Sequence, residues 1–167
     1  MSATEPIITA LERSWDMIDA SLEGVDDATI ARFPADQCNS MAWILWHMSR
    51  VVDSFIQTRL QSSPQLWMQD DWYRRFEMND DPDDRGFGWS YDRVKAWAPP
   101  SRDTLVEYYE AVKASARTYL SSLSDAAFQE RRVIPPAAEP RTVGVALGQM
   151  VWESVAHGGQ IAYISGF

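Results

Sequence analysis

Cysteine is nearly absent from these 167 residues, with Cys38 alone. A single thiol excludes an intramolecular disulfide, a Cys-x-x-Cys redox motif and a thiolate zinc cage. Basic charge is also scarce: 15 Lys and Arg stand against 24 Asp and Glu, for a net charge of −9. No Lys/Arg cluster offsets that field, so neither nucleic acid nor an anionic membrane is expected as a partner. No stretch approaches the roughly 18 to 20 apolar residues that a membrane span needs. The start, Met-Ser-Ala-Thr-Glu-Pro, lacks the basic-then-apolar pattern of a secretory leader. A cytoplasmic protein is expected. Strand-type alternation, internal repeats and low-complexity tracts are missing too, so no sheet is expected. Histidine occurs only at His47 and His157.

What is present is apolar and aromatic. Hydrophobic residues make up 46% of the chain, with eight Trp, six Tyr and six Phe. That composition suits one packed domain spanning residues 1–167, long enough to bury a core without cross-links.

Apolar residues at steps of three and four predict four long helices. The first covers 4–24, with Thr4 as N-cap, Pro6 in the first turn and Ile8, Leu11, Trp15, Ile18 and Leu22 as its stripe before Gly24. Residues 25–39 allow one short helical turn and then break at Pro34. The second long helix, about 40–60, is capped by Asn39 or Ser40. Trp43, Ile44, Trp46, His47, Val51, Phe55 and Thr58 cover one broad side, with Leu45, Met48, Val52 and Ile56 spilling round it, so it should be central. Residues 61–100 are too aromatic for a solvated linker; a short helix fits Tyr91 to Trp97, and the segment should fold back over one end of the helices. The third long helix starts at Ser101 after Pro99-Pro100 and ends near Ser124. Its stripe is Leu105, Tyr108 or Tyr109, Val112, Ala116, Tyr119 and Leu123. A turn at 125–130 and an extended 131–136 lead to the fourth helix, capped by Thr142. The fold class is therefore all-α: an up-and-down four-helix bundle with a long aromatic crossover between helices two and three.

The fourth helix places Glu153 and His157 one turn apart, in line with Val143, Ala146, Leu147, Met150, Ile161 and Ile164, on a face expected to turn inward. A carboxylate taken out of water needs a cation or strong donors. The other histidine, His47, lies on the apolar second helix. The residues alone admit two accounts. Glu153 and His157 are an ordinary i, i+4 pair with His47 a satisfied core histidine, or the three hold a divalent metal and leave a position open for chemistry. Cys38 is a poor fourth ligand, nine residues before His47, which is roughly 13 Å along a helix.

Three segments add a resemblance. Asn39-Ser-Met-Ala-Trp-Ile-Leu-Trp-His47-Met, Arg85-Gly-Phe-Gly88 after an acidic loop, and Glu153-Ser-Val-Ala-His157-Gly-Gly-Gln-Ile161 resemble the DinB-like four-helix bundle superfamily. That group includes thiol-dependent S-transferases and the metal-binding domain of mycothiol-dependent maleylpyruvate isomerase. The resemblance implies one divalent metal, zinc or nickel, held by His47, Glu153 and His157. Many relatives carry His at the position of Glu153, whereas the His, Glu, His set here is similar to that of the isomerase. The second domain accompanying that isomerase has no counterpart in these residues, which points away from the isomerase itself. Homodimers are common in such bundles, again by resemblance.

The leading expectation is an enzyme in which a low-molecular-weight thiol, such as mycothiol or bacillithiol, binds the metal as thiolate and attacks a small electrophile, giving S-conjugation or isomerisation. Trp43, Trp46 and Trp89 are expected to line its apolar pocket. Catalytic residues beyond the ligands are not assigned. A metal-dependent hydrolase would need a general base, and Asp53, six residues from His47, points elsewhere on the helix. A non-catalytic metal-stabilised bundle or dimeric interaction module is the alternative from another class. The acidic run Asn79 to Asp84 reads as a solvated loop, since it lacks EF-hand spacing. Gln160 is placed to support His157 or to sit between helices. Gly158-Gly159 mark a close helix contact or an early helix end, and Cys38 is an activated thiol or, more simply, a semi-buried one.

Overall fold

The computed structural model describes residues 2–166. It is predominantly helical. Four long helices carry the molecule: α1 (Glu5–Leu22), α3 (Met41–Asp53), α7 (Arg102–Ser122) and α9 (Val143–Ser165), with α3 running on directly as a π-helical segment, Ser54–Leu60. Between them lie the short helices α2 (Asp27–Ala31), α4 (Leu66–Gln69), α5 (Trp72–Arg75), α6 (Tyr91–Ala96) and α8 (Asp125–Gln129).

Side-chain caps set several helix starts. The hydroxyls of Ser40, Ser101 and Thr142 accept from the N–H groups of Trp43, Thr104 and Val145, which satisfies donors that the first turn leaves orphaned. Thr4 holds the cap position of α1 without making a cap bond; it is buried, and its hydroxyl pairs with Ser2. One expectation is corrected outright. A small ladder exists, in which β1 (Arg131–Arg132) pairs antiparallel with β2 (Arg141–Thr142), because the proline-rich segment between them brings two extended pairs side by side. The turn at 125–130 contains α8, capped by Ser124.

Helix α3 is the centre of the molecule. It contacts both α7 and α9, and every residue in it except Val51 is buried. Helix α9 packs along α1 as well as α3, and α7 is tied to α1 by Lys113–Asp19 at 2.8 Å and Arg117–Glu12 at 2.6 Å. The stripe of α7 ends on Leu120; Tyr119 and Leu123 are only half-buried. Thr58, expected on the apolar side of the second helix, is exposed.

Gly158 explains how closely α1 and α9 approach. A Cβ there would stand 2.8 Å from Ser14 Oγ and 3.2 Å from Ile18 Cδ1, whereas one at Gly159 would meet nothing within 4 Å. The helix passes through both glycines, so the pair marks a contact and not an end. Gly158→Val is expected to destabilise the fold by about 1–3 kcal/mol through overpacking. Gly159→Ala should instead add about 0.5–1 kcal/mol from helix propensity. Urea unfolding of the two variants reads both signs.

The connection from 61 to 101 wraps a buried cation. Arg50 is fully buried on α3 and donates to the carbonyls of Asp81 and Asp84 and to Gln65 Oε1, while its guanidinium lies over the Trp67 ring at 4.3 Å. Asp53, one turn on, stands 3.9 Å from Arg50 and accepts from the Leu66 and Trp67 N–H groups and the Tyr108 hydroxyl. The acidic run thus turns its carbonyls inward onto a guanidinium and leaves the side chains of Asp80 to Asp83 in solvent.

Candidate metal centre

His47 sits midway along α3, and Glu153 and His157 are one turn apart on α9, which packs against it. One ligand atom from each of the three lies within 4.8 Å of the other two. The imidazoles meet edge to face, with ring centroids 4.9 Å apart, and His157 Nε2 lies 3.4 Å from Glu153 Oε2. Ligand atoms around a tetrahedral ion at ordinary bond lengths stand about 3.3 Å apart. The Glu153–His157 pair already has that separation, and closing the rest takes side-chain shifts of about an ångström.

The buried face of α9 differs from the expected one. Its inward stripe continues from Met150 through Ser154, Gly158 and Ile161, while Glu153 and His157 flank it, half-buried at the wall of a cleft. Small residues face α1, and the polar pair is left reachable from solvent. An open position at such a site needs that access.

Both histidines are oriented from behind. His47 Nδ1 is hydrogen-bonded to the Arg85 carbonyl, which can only accept, so the proton is on Nδ1 and the Nε2 lone pair is free. His157 Nδ1 meets the Gln160 side-chain amide at 3.0 Å, whose oxygen can accept a hydrogen bond from that nitrogen and leave Nε2 for a ligand. Second partners of this kind fix the tautomer and aim of metal-ligating histidines. Burial pushes the His47 imidazole down to about 4, against the pull of the Arg85 carbonyl and with the help of the neighbouring His157. It is therefore neutral near pH 7, the form that binds a metal. The chemistry of the donor set, two imidazoles and one carboxylate, fits a divalent ion such as Zn²⁺ or Ni²⁺.

The Arg85 carbonyl reaches His47 because the next residue is glycine. Gly86 has φ +82°, and a Cβ there would lie 2.7 Å from Trp43 Cζ2 and 2.8 Å from Trp46 Cζ3. Asp84 pins the same loop by accepting from Trp89 Nε1 and Arg93 Nη2, each at 2.7 Å. Gly86→Ala is expected to destabilise the fold by about 1–3 kcal/mol and, by pulling the carbonyl off His47, to weaken metal binding about 10–100-fold. Competition with a chromophoric chelator measures the second effect, and chemical unfolding the first.

The tryptophans expected in the pocket are placed elsewhere. Trp43 stacks on the His47 ring, centroids 4.9 Å apart and planes 10° apart, and Trp43, Trp46 and Trp89 pack on one another, with Trp97 against Trp46. They back the site and do not line the cleft, because Gly86 lets the loop sit on top of them. The cleft, about 620 Å³, is walled by Val51, Phe55, Phe87, Trp152, Arg59 and Arg85 around Glu153 and both histidines. Arg59 and Trp152 carry no sequence signal for this wall, since neither belongs to a spacing that separates a wall residue from an ordinary surface one. Cys38 is not in the converging group; it lines a neighbouring apolar hollow of about 520 Å³ that shares Gln160.

No helix among the described residues is long and apolar enough to cross a membrane. The crystal structure of a conserved protein from Enterococcus faecalis superposes with a TM-score of 0.86 at 23% identity, covering 99% of this chain and 96% of that one. At that identity the likeness is one of fold. No curated protein matches the chain. The DinB superfamily model matches residues 10–161, from the first long helix through His47, Glu153 and His157, and on that match the chain belongs to the DinB superfamily.

Proposed function

We propose that the protein is a divalent-metal-dependent enzyme on an up-and-down four-helix bundle, a thiol S-transferase or isomerase that takes a small electrophile as its second substrate. The observation that carries this reading is the pair of histidines with both Nδ1 atoms engaged by other partners and with a ligand atom of each within 4.8 Å of Glu153, beside a cleft large enough for a small molecule. A buried structural pair would need neither the cleft nor the second partners. When bound, zinc or nickel would supply the positive charge that holds a thiol such as mycothiol or bacillithiol as its thiolate near pH 7.

His47, Glu153 and His157 would hold the ion, and Arg85 and Gln160 would keep the two imidazoles aimed. Phe55, Phe87 and Trp152 present the apolar wall against which an electrophile lies, and Phe87 and Trp152 are exposed enough to admit it. Hydrolysis is the weaker reading. Among the described residues Glu153 is the one carboxylate on the cleft wall, which leaves no separate general base. A homodimer would use the outward face of α9 at Val145 and Val155, which are exposed, and leave Trp152 to the cleft.

The test is conjugation of monochlorobimane with a panel of low-molecular-weight thiols by protein loaded with Zn²⁺ or Ni²⁺. Thioether formation that requires the metal and is lost in His157→Ala supports the transferase. Rates equal to the protein-free reaction across the panel, with metal bound, would leave the metal-stabilised bundle as the better account.

A further inference from the structure

In a chain of net charge −9, two guanidiniums face the cleft beside the triad, and one of them lacks an acidic partner. Arg85 has Asp83 at 3.1 Å. Arg59 has no carboxylate within ion-pair distance among the described residues; it donates to the Pro135 carbonyl at 3.1 Å and lies over the Phe55 ring at 4.2 Å. Arg141 donates to the same Pro135 carbonyl at 3.1 Å and is likewise without a carboxylate. Burial, and then the positive charges of Arg85 and Arg141, bring Arg59 down to about 10, with Asp83 and Glu153 opposing. Glu153 is already engaged with His157. Like charges held together at a half-buried wall are unfavourable until an anion joins them.

We propose that Arg59, supported by Arg85, docks a carboxylate of the small molecule that enters the cleft, so that the site takes carboxylate-bearing substrates with a short apolar or aromatic body. This rests on the cleft being the substrate site of the proposed function. A guanidinium fixed by stacking and by one carbonyl presents its remaining N–H edge as a planar fork, which matches a carboxylate. Val51, Phe55, Phe87 and Trp152 supply the apolar surface for the body. Among the described residues no helix N-terminus lines the cleft, so the usual wrapping for a phosphate is missing. The carboxylate belongs either to the thiol or to the electrophile.

Calorimetry on chelator-treated, metal-free protein tests the docking directly, with 3-phenylpropanoate as probe and 3-phenylpropanamide as its uncharged match. The acid is expected to bind at least tenfold tighter, the preference to shrink at high salt, to vanish in Arg59→Gln and to persist in part in Arg59→Lys. Equal affinity for acid and amide, or an unchanged preference in folded Arg59→Gln, overturns the proposal. A salt-insensitive preference in the wild type also overturns it, without relying on any variant. In zinc-loaded protein, displacement of 3-phenylpropanoate by 3-mercaptopropanoate but not by 2-mercaptoethanol assigns the carboxylate to the thiol, whereas simultaneous binding assigns it to the electrophile. Because the first arm contains no metal, failure of zinc to bind would sink the enzymatic reading and leave the docking result standing.

Discussion

Replacing His47 by alanine is expected to weaken Zn²⁺ binding by at least about a hundredfold. Structural zinc sites with four ligands are worth about 10–16 kcal/mol, or roughly 3 kcal/mol per ligand, and each 1.4 kcal/mol is a factor of ten. His47 is the ligand whose loss should weigh most, because it arrives preorganised. Its ring is stacked on Trp43, its Nδ1 proton is given to the Arg85 carbonyl, and burial keeps it neutral. Alanine also leaves a hollow beside Trp43, so a loss of fold has to be separated from a loss of ligand. Glu153→Gln does this. It keeps shape on a half-buried position, removes the charge, and should cost a similar order of affinity with little change in unfolding midpoint. Chelator competition on both variants, with unfolding curves alongside, reads the two effects apart.

Arg50→Ala is expected to be the most destabilising single change, about 3–5 kcal/mol, since removing one member of a buried charged network leaves the other uncompensated. Asp53 would lose its cation while still buried among Leu66, Trp67 and Tyr108. The carbonyls of Asp81 and Asp84 would lose their donor, and the loop that they belong to ends in the Arg85 carbonyl on His47. A stability defect and a metal defect should therefore appear together, the second about 10–100-fold at temperatures where the variant stays folded. Arg50→Lys keeps the charge but not the planar fork, and is expected to recover part of the stability and little of the loop geometry. Urea unfolding and a zinc titration at low temperature provide the two readouts.

The long helices were legible because apolar spacing and caps agree. Ser40, Ser101 and Thr142 each precede a long apolar-rich run, and each makes the cap bond that its side chain offers. The face of α9 was harder to read for a physical reason. That helix is apolar nearly all round, with Val145, Trp152 and Val155 on its exposed side, so periodicity alone does not decide which side is buried. The residues that do decide are Ser154 and Gly158, small enough for α1 to approach, and hydropathy gives them no weight. His47, Glu153 and His157 do come together in space. The Gln160 partner of His157 was readable from its spacing, but the aim of His47 depends on a backbone carbonyl 38 residues away, which no side-chain pattern encodes, although Gly86 beside it is the residue that makes the approach possible. The tryptophans misled because aromatic residues next to a ligand suit a pocket wall and a supporting cluster equally well. Arg59 gave no signal, since its environment is assembled from α3's π-helical continuation, the 135–136 turn and α9.

The most direct test is metal content by inductively coupled plasma mass spectrometry on protein purified without an affinity tag, beside His47→Ala and Glu153→Ala. About one zinc or nickel per chain in the wild type, lost in both variants, is the predicted result. A wild-type site that stays empty after Zn²⁺ or Ni²⁺ is supplied, or a metal retained in both variants, would contradict the account and leave Glu153 and His157 as an ordinary helix pair.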